Sequence, residues 1–341
     1  MSLSVTYLVT GANRGIGRGF VAALLQRASS TVIAAVRDPS KESSKALSQL
    51  PCASGSQLIV VKLDSAIESD AVDAVERLRN EYRITALDVV IANAGINHSP
   101  GRVLENSTEA LLDHFYVNSI GPVNLLKATT ELLKSSRNGN PKFIAISTLI
   151  GTISGMELLL QFPAPVSPYG SSKAALNWLL RRVHFEEPWL TTFVFHPGLV
   201  MTDMAAEVMQ GKDLDPKDLG AISVEESVTG MLKTIDSASR DIGGTFQNYD
   251  GTVLPCGINH QHSANDAHKS TFITQKPDTV STRHPPADDD IEDFYMSKAL
   301  TRSIGNPQDL AEVYVSNTKS HFVDGTDITV DGGYMLKIRS E

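Results

Sequence analysis

Residues 10 to 17 read Thr-Gly-Ala-Asn-Arg-Gly-Ile-Gly, between an apolar run from Val5 to Val9 and a helical pattern carried on by Phe20, Leu24 and Leu25. A strand that breaks into glycines and restarts as a helix leaves few folds open. Gly11 suits a tight turn, Gly15 lets the backbone approach a bulky anion, and Gly17 lets the new helix lie close on the strand. The free N–H groups and partial positive charge of the helix start then favour phosphate. An ordinary glycine loop is the bland alternative, and the strand before and helix after argue against it.

The rest of the chain supplies repeats of the same unit. Strands are expected at 5 to 9, 31 to 36, 57 to 63, 87 to 92, 142 to 147, 191 to 196 and 244 to 249. Helices are expected between them at about 15 to 28, 41 to 49, 67 to 80, 106 to 134, 169 to 187 and 224 to 238. Such alternation specifies parallel strands joined by right-handed crossovers. Short Val/Ile runs without polar alternation belong to strands covered on both faces. The expected fold is therefore α/β: a doubly wound parallel sheet of the Rossmann kind, with seven strands and an unusual C-terminal extension. Ligands in such sheets bind beyond the carboxyl ends of the strands, where Gly11, Asn93, Ser147 and Pro197 fall.

A second set of residues points to chemistry. Tyr169 and Lys173 are four apart at the start of a helix and share one face. Alone, the pair is an ordinary solvated helix face. Its company matters: Ser147 after the run Phe143 to Ile146, Asn93-Ala94-Gly95 after Leu87 to Ala92, and His196-Pro197-Gly198 after Phe193 to Phe195. With Asp64 after the third strand and Asn118, these landmarks resemble the short-chain dehydrogenase/reductase family over about residues 5 to 250. The finer resemblance is to the fungal norsolorinic acid ketoreductase-like group and to C-factor and sniffer-type carbonyl reductases.

That resemblance implies reduction of a carbonyl, with four catalytic residues. Tyr169 is the acid, a phenol whose ordinary pKa of about 10 needs a nearby positive charge. Lys173 supplies the charge and holds the nicotinamide ribose. Ser147 hydrogen-bonds the carbonyl oxygen. Asn118 bends its helix and holds a water that relays protons to Lys173, although a polar residue at a helix end is as good a reading without the resemblance. Cofactor contacts are expected from Gly11, Asn13, Arg14, Gly15, Ile16, Gly17, Arg37, Asp64, Asn93, Ala94, Gly95, Tyr169, Lys173, Pro197, Gly198, Val200 and Thr202, with Asp64 on the adenine. The second strand ends in Ala35-Val36-Arg37, and Arg14 adds a cation, so NADP is favoured over NAD. Asp38 is the complication, since a carboxylate aimed inward would repel a 2′-phosphate.

Composition limits the partners. The net charge of −9 argues against nucleic acid, and no twenty-residue apolar run predicts a membrane span. A first strand beginning near Val5 leaves no room for a cleaved signal, and two cysteines, Cys52 and Cys256, fit a reducing compartment, so a cytoplasmic protein is expected. Two glycosylation patterns, at Asn97 and Asn106, carry no meaning there. A small-molecule ketone or alcohol is the expected partner, in a homodimer or homotetramer.

Three segments depart from the plain pattern. Leu149 to Pro168 is a long insertion whose stretch Met156-Glu157-Leu158-Leu159-Leu160 reads either as a wall of a hydrophobic substrate pocket or as a packed loop or subunit contact. Met201 to Val224 occupies the place of the family's substrate lid, with Gly211 and Gly220 as hinges. The domain reading is 1 to 250 for the reductase, 251 to 290 for a polar linker and 291 to 341 for a reductase-like extension. His260, His262 and His268 near Cys256 match no zinc spacing, so no metal is expected. Two segments compete for the final strand, Gly244 to Asp250 and Thr326 to Asp331, and the first is preferred for its short connection. The extension keeps a second functional reading open: a non-catalytic or regulatory protein on the same fold, with the tail as an interaction segment.

Overall fold

The computed structural model describes residues 4–98, 101–156, 166–209 and 219–256, together with the strands Thr326–Asp331 and Met335–Ser340. Eight strands form one sheet in the order β3-β2-β1-β4-β5-β6-β7-β8. They are β1 (Val5–Thr10), β2 (Ser30–Val36), β3 (Gln57–Lys62), β4 (Val89–Ala92), β5 (Lys142–Ile146), β6 (Thr191–His196), β7 (Phe246–Asn248) and β8 (Val253–Leu254). All neighbours pair in parallel except β7 and β8.

The eighth strand corrects the expected seven. It is two residues long and returns antiparallel on β7 through Tyr249-Asp250-Gly251, with Gly251 at φ +88°. Asp-Gly before a short apolar pair is a hairpin signal that was legible in the chain. Phe246 to Asn248 pair with Val194 to His196, so the earlier of the two competing segments closes the parallel sheet. The later one, β9 (Thr326–Asp331), pairs antiparallel with β10 (Met335–Ser340) in a two-stranded sheet.

Two apolar layers cover the main sheet. One face of β1 to β6, with Leu8, Ile33, Val90 and Phe143, packs on α3 (Glu68–Asn80), α5 (Gly121–Lys134) and α6 (Ser167–Glu186). The other, with Val9, Val32, Ile91 and Phe193, packs on α1 (Gly15–Leu25) and α8 (Val224–Ser237). Every residue of β2 and β5 is buried, which is why these strands read as apolar runs rather than alternations.

Helix ends follow local chemistry. Ser107 accepts the N–H of Ala110 at the start of α4 (Thr108–Phe115), and Ser223 accepts that of Glu226 at the start of α8. Pro168 sits in the first turn of α6, where a missing N–H costs nothing, and Pro122 sits at the start of α5, directly after the helical turn that precedes it. The segment expected as one helix over 106 to 134 is broken by a π-helical turn, Tyr116–Ile120, between α4 and α5. The segment expected as a helix over 41 to 49 shortens to α2 (Glu42–Lys45) and a 3₁₀ turn, Ala46–Gln49. Between β6 and α8 lies a helix that the pattern did not suggest, α7 (Asp203–Met209).

The order in which strands are added reverses between β1 and β4, because β2 and β3 build outward on one side and β4 to β7 on the other. Loops leaving these two strands therefore part and open a crevice at their carboxyl ends. Residues 157–165, the hinge candidate Gly211 and the linker histidines lie outside the described residues.

Candidate active site

A groove of about 580 Å³ occupies that crevice. Gly11, Asn13, Arg14, Gly15, Ile16, Arg37, Asp64, Asn93, Ala94, Gly95, Ser147, Tyr169, Lys173, Pro197, Gly198, Val200 and Thr202 all line it. Of the residues singled out in the sequence, two lie behind the lining. A Cβ on Gly17 would stand 2.3 Å from the carbonyl oxygen of Gly11 and 2.6 Å from Asn93 Nδ2, so this glycine brings α1 against the turn. Asn118 is fully buried behind Gly95.

The floor at the β1 end is backbone. Gly11 and Gly15 have φ of +62° and +51°, and a Cβ on Gly11 would approach Ala94 Cα to 2.9 Å. No side chain caps the N-terminus of α1 at Arg14, so its first N–H groups face the groove. Asn93 fastens the two strand ends together: its N–H donates to Thr10 Oγ1 over 3.0 Å and its Nδ2 to Thr10 O over 2.9 Å.

Cations gather at the end of β2. Arg14, Arg37 and Lys41 line the groove there, with Ser43 beside them. Asp38 also lines it, but its Oδ1 accepts the N–H and hydroxyl of Ser40 over 2.9 and 2.6 Å, and these bonds hold its carboxyl below the usual carboxylate range. The carboxylate that complicates the cofactor reading therefore stays ionised in the groove lining, tied to a local turn and faced by Arg14, Arg37 and Lys41. Arg14 pairs with Asp203 at 3.4 Å, both exposed, across the mouth between the glycine turn and α7. Lys41, Ser43 and Asp203 went unremarked in the sequence because no periodicity marks a side chain that a short turn carries inward.

The reacting end is built on α6, β5 and the π turn. Lys173 Nζ donates to the carbonyl of Ile146 over 2.7 Å and stands 5.8 Å from the centre of the Tyr169 ring. Burial pulls the Lys173 ammonium down to about 7 and pushes the Tyr169 phenol up to about 12. The free chain therefore keeps Tyr169 protonated, as an acid requires, while Lys173 is only marginally charged. A dianionic or trianionic ligand in the groove would favour the charged lysine.

Asn118 sits in the π turn and is satisfied by backbone and serine. Its Oδ1 accepts Ile96 N–H over 2.8 Å, and its Nδ2 donates to Ile96 O and Ser172 Oγ over 2.9 and 3.0 Å. The helix irregularity expected around Asn118 is present, and its side chain ties the loop after β4 to α6. Ser147, also buried, bonds Asn177, a residue the sequence reading passed over. His196 accepts the N–H of Leu149 on Nδ1 over 3.2 Å, and burial drives its pKa down to about 4.

Among the described residues, no cluster of His, Cys, Asp and Glu is grouped to hold a metal, and no helix is long and apolar enough to cross a membrane.

Comparison with known proteins agrees with this geometry. A family profile described as short chain dehydrogenase matches residues 5–213. The chain is 43% identical over 256 residues to norsolorinic acid ketoreductase nor1 of Dothistroma septosporum, covering 74% of this chain and 93% of that one. It is 42% identical over 251 residues to norsolorinic acid ketoreductase of Aspergillus parasiticus, covering 73% and 90%. Among solved structures, NADPH-bound carbonyl reductase from chicken fatty liver superposes with a TM-score of 0.64 at 31% identity, over 74% of this chain and 99% of that one. Carbonyl reductase Sniffer of D. melanogaster does so with a TM-score of 0.62 at 25% identity, over 74% and 99%.

Proposed function

This chain belongs to the short-chain dehydrogenase/reductase family, and on that premise we propose that it is an NADPH-dependent ketoreductase. Its substrate is a hydrophobic or aromatic ketone of secondary metabolism, of the polyketide type acted on by the similar norsolorinic acid ketoreductases. The observation that carries the reading is the juxtaposition, in one groove, of an uncapped helix start and glycine floor with Ser147, Tyr169 and Lys173.

The residues fit a phosphorylated dinucleotide. Gly11 and Gly15 leave room that a Cβ would fill, α1 offers free N–H groups, and Arg14, Arg37 and Lys41 suit a 2′-phosphate. When bound, the reduced nicotinamide supplies a hydride to the carbonyl carbon. Tyr169 gives its phenolic proton to the carbonyl oxygen as the C=O π bond opens, so ketone, hydride and proton balance as the alcohol. Lys173, recharged by the anionic ligand, lowers the cost of the phenolate that Tyr169 becomes. Ser147 stabilises the charge developing on the substrate oxygen. Asn118 holds Ile96, and with it the loop that carries Asn93 to Gly95, in place.

Exposed Trp178 and Phe185 on α6, with Leu112, Tyr116 and Ile120 on α4 and the π turn, support self-association. The test of function is turnover of a panel of aromatic ketones with NADPH, in parallel with Tyr169→Phe. Loss of turnover by a factor of about a hundred or more with unchanged NADPH binding supports the assignment. Turnover that survives in Tyr169→Phe removes it.

A further inference from the structure

Tyr169, Lys173 and Asn177 stand at i, i+4 and i+8 of α6, so the amide of Asn177 follows the other two along one helix face. It is buried: Nδ2 donates to the carbonyl of Gly151 over 3.1 Å, Oδ1 accepts Ser147 Oγ at 2.5 Å, and the amide also interacts with the Cys256 thiol. A backbone carbonyl can only accept, so the NH₂ end of the amide must face Gly151 and the oxygen end must face Ser147. The amide oxygen can only accept in turn, and serine carries one proton. In the free protein the Ser147 proton is therefore directed at Asn177, and the groove meets the lone pairs of Ser147.

A neutral ketone oxygen is no better an acceptor than an amide oxygen, whereas an oxygen gaining negative charge is a much stronger one. We propose that Asn177 is a positioning residue that reserves the Ser147 proton for the transition state. The hydroxyl stays turned to Asn177 while the ketone is neutral, and rotates about Cβ–Oγ to the substrate oxygen as charge accumulates there. No covalent bond changes in this movement. The gain is selectivity: a bond made in the transition state and withheld from the ground state raises kcat, whereas one made in both only tightens binding. The inference rests on the reductase reading above and refines the part Ser147 plays in it.

The surroundings of Asn177 decide how to test this. Its far side lines a second cavity of about 190 Å³ with Arg181, Phe193 and Cys256. Asn177→Ala would open Ser147 to water entering from that cavity, and a water could replace the lost acceptor. Asn177→Leu fills the same volume and admits neither water nor a hydrogen bond.

The experiment is steady-state kinetics of the full chain, with NADPH and a ketone that the wild type reduces, for Asn177→Leu, Asn177→Ala, Ser147→Ala and Ser147→Ala/Asn177→Leu. NADPH dissociation constants, read by cofactor fluorescence, accompany each variant. The expected result is that Asn177→Leu lowers kcat about tenfold and lowers KM for the ketone as well, because the freed serine now binds the ground state. NADPH affinity stays the same, Asn177→Ala falls between wild type and Asn177→Leu, and Asn177→Leu changes nothing further in the Ser147→Ala background. A rise in KM with the fall in kcat, or an additive loss in that background, overturns the proposal and leaves the reductase reading intact. Absence of turnover by the wild type with every ketone overturns both. If Asn177→Leu fails to fold, the same cycle run with Asn177→Ala decides, since additivity there is equally fatal.

Discussion

Lys173 is held by the carbonyl of Ile146, the last residue of β5, one position before Ser147. This single 2.7 Å bond crosses from α6 to the sheet and sets the lysine beneath both reacting side chains. It also buries the lysine amine.

That burial gives a pH dependence whose sign can be worked out. The Lys173 pKa falls from 10.5 to about 7 on folding, so between those values the unfolded chain binds the extra proton. Stability contributed by this site is lowest below about pH 7 and rises as pH climbs toward 10.5. Melting temperatures of the cofactor-free wild type and Lys173→Met, compared from pH 6 to 9.5, should show the wild type gaining on the variant by several degrees. A constant difference across that range would contradict the burial argument.

His196 supplies the acid counterpart. Its Nδ1 accepts the Leu149 N–H, which requires the neutral ring, and its pKa drops from 6.5 to about 4. The unfolded state binds the extra proton between those values, so stability is lost as pH falls through the window. Each pKa unit is worth about 1.4 kcal/mol. Urea unfolding of His196→Gln at pH 4.5 and 7 should show a smaller pH difference than the wild type; an equal one would mean that other groups govern the acid limb.

Glycine positions divide into those that permit contact and those that permit only a turn. Gly17→Ala places a Cβ 2.3 Å from Gly11 O, which forces α1 off the turn and should cost about 2 kcal/mol or more together with loss of NADPH binding. Gly139 has φ +68° but open space around it, so Gly139→Ala should cost about 1 kcal/mol and leave binding unchanged. Chemical denaturation of both variants, with NADPH titrations, makes the comparison.

Cofactor choice should rest on Arg37 and Lys41. Replacing both by alanine removes the two cations at the end of β2 and should raise the NADPH dissociation constant by about tenfold to a hundredfold. NADH, lacking the 2′-phosphate, should be little affected. Equal losses for the two dinucleotides would place the 2′-phosphate elsewhere.

Much of this protein is legible in its order of residues. Buried parallel strands have to be written as Val/Ile runs, and the turn from β1 to α1 has to be written in glycine, because only those residue types satisfy both constraints. Tyr169 and Lys173 are readable for the same reason: four residues on a helix bring two side chains to one face. What the tertiary structure decided are the partnerships that cross elements. Thirty residues separate Ser147 from Asn177, and only the packing of α6 beside β5 makes them neighbours. Asp38 is tied into a local turn by Ser40, and Lys41 and Ser43 line the groove beside that turn. The length of the sheet was settled in the same way, since Val253 and Leu254 become a strand only by pairing with β7. Periodicity reports which face of an element is apolar. It is silent on which polar atoms of two different elements meet, because a hydrogen bond depends on distance and direction that no local pattern encodes.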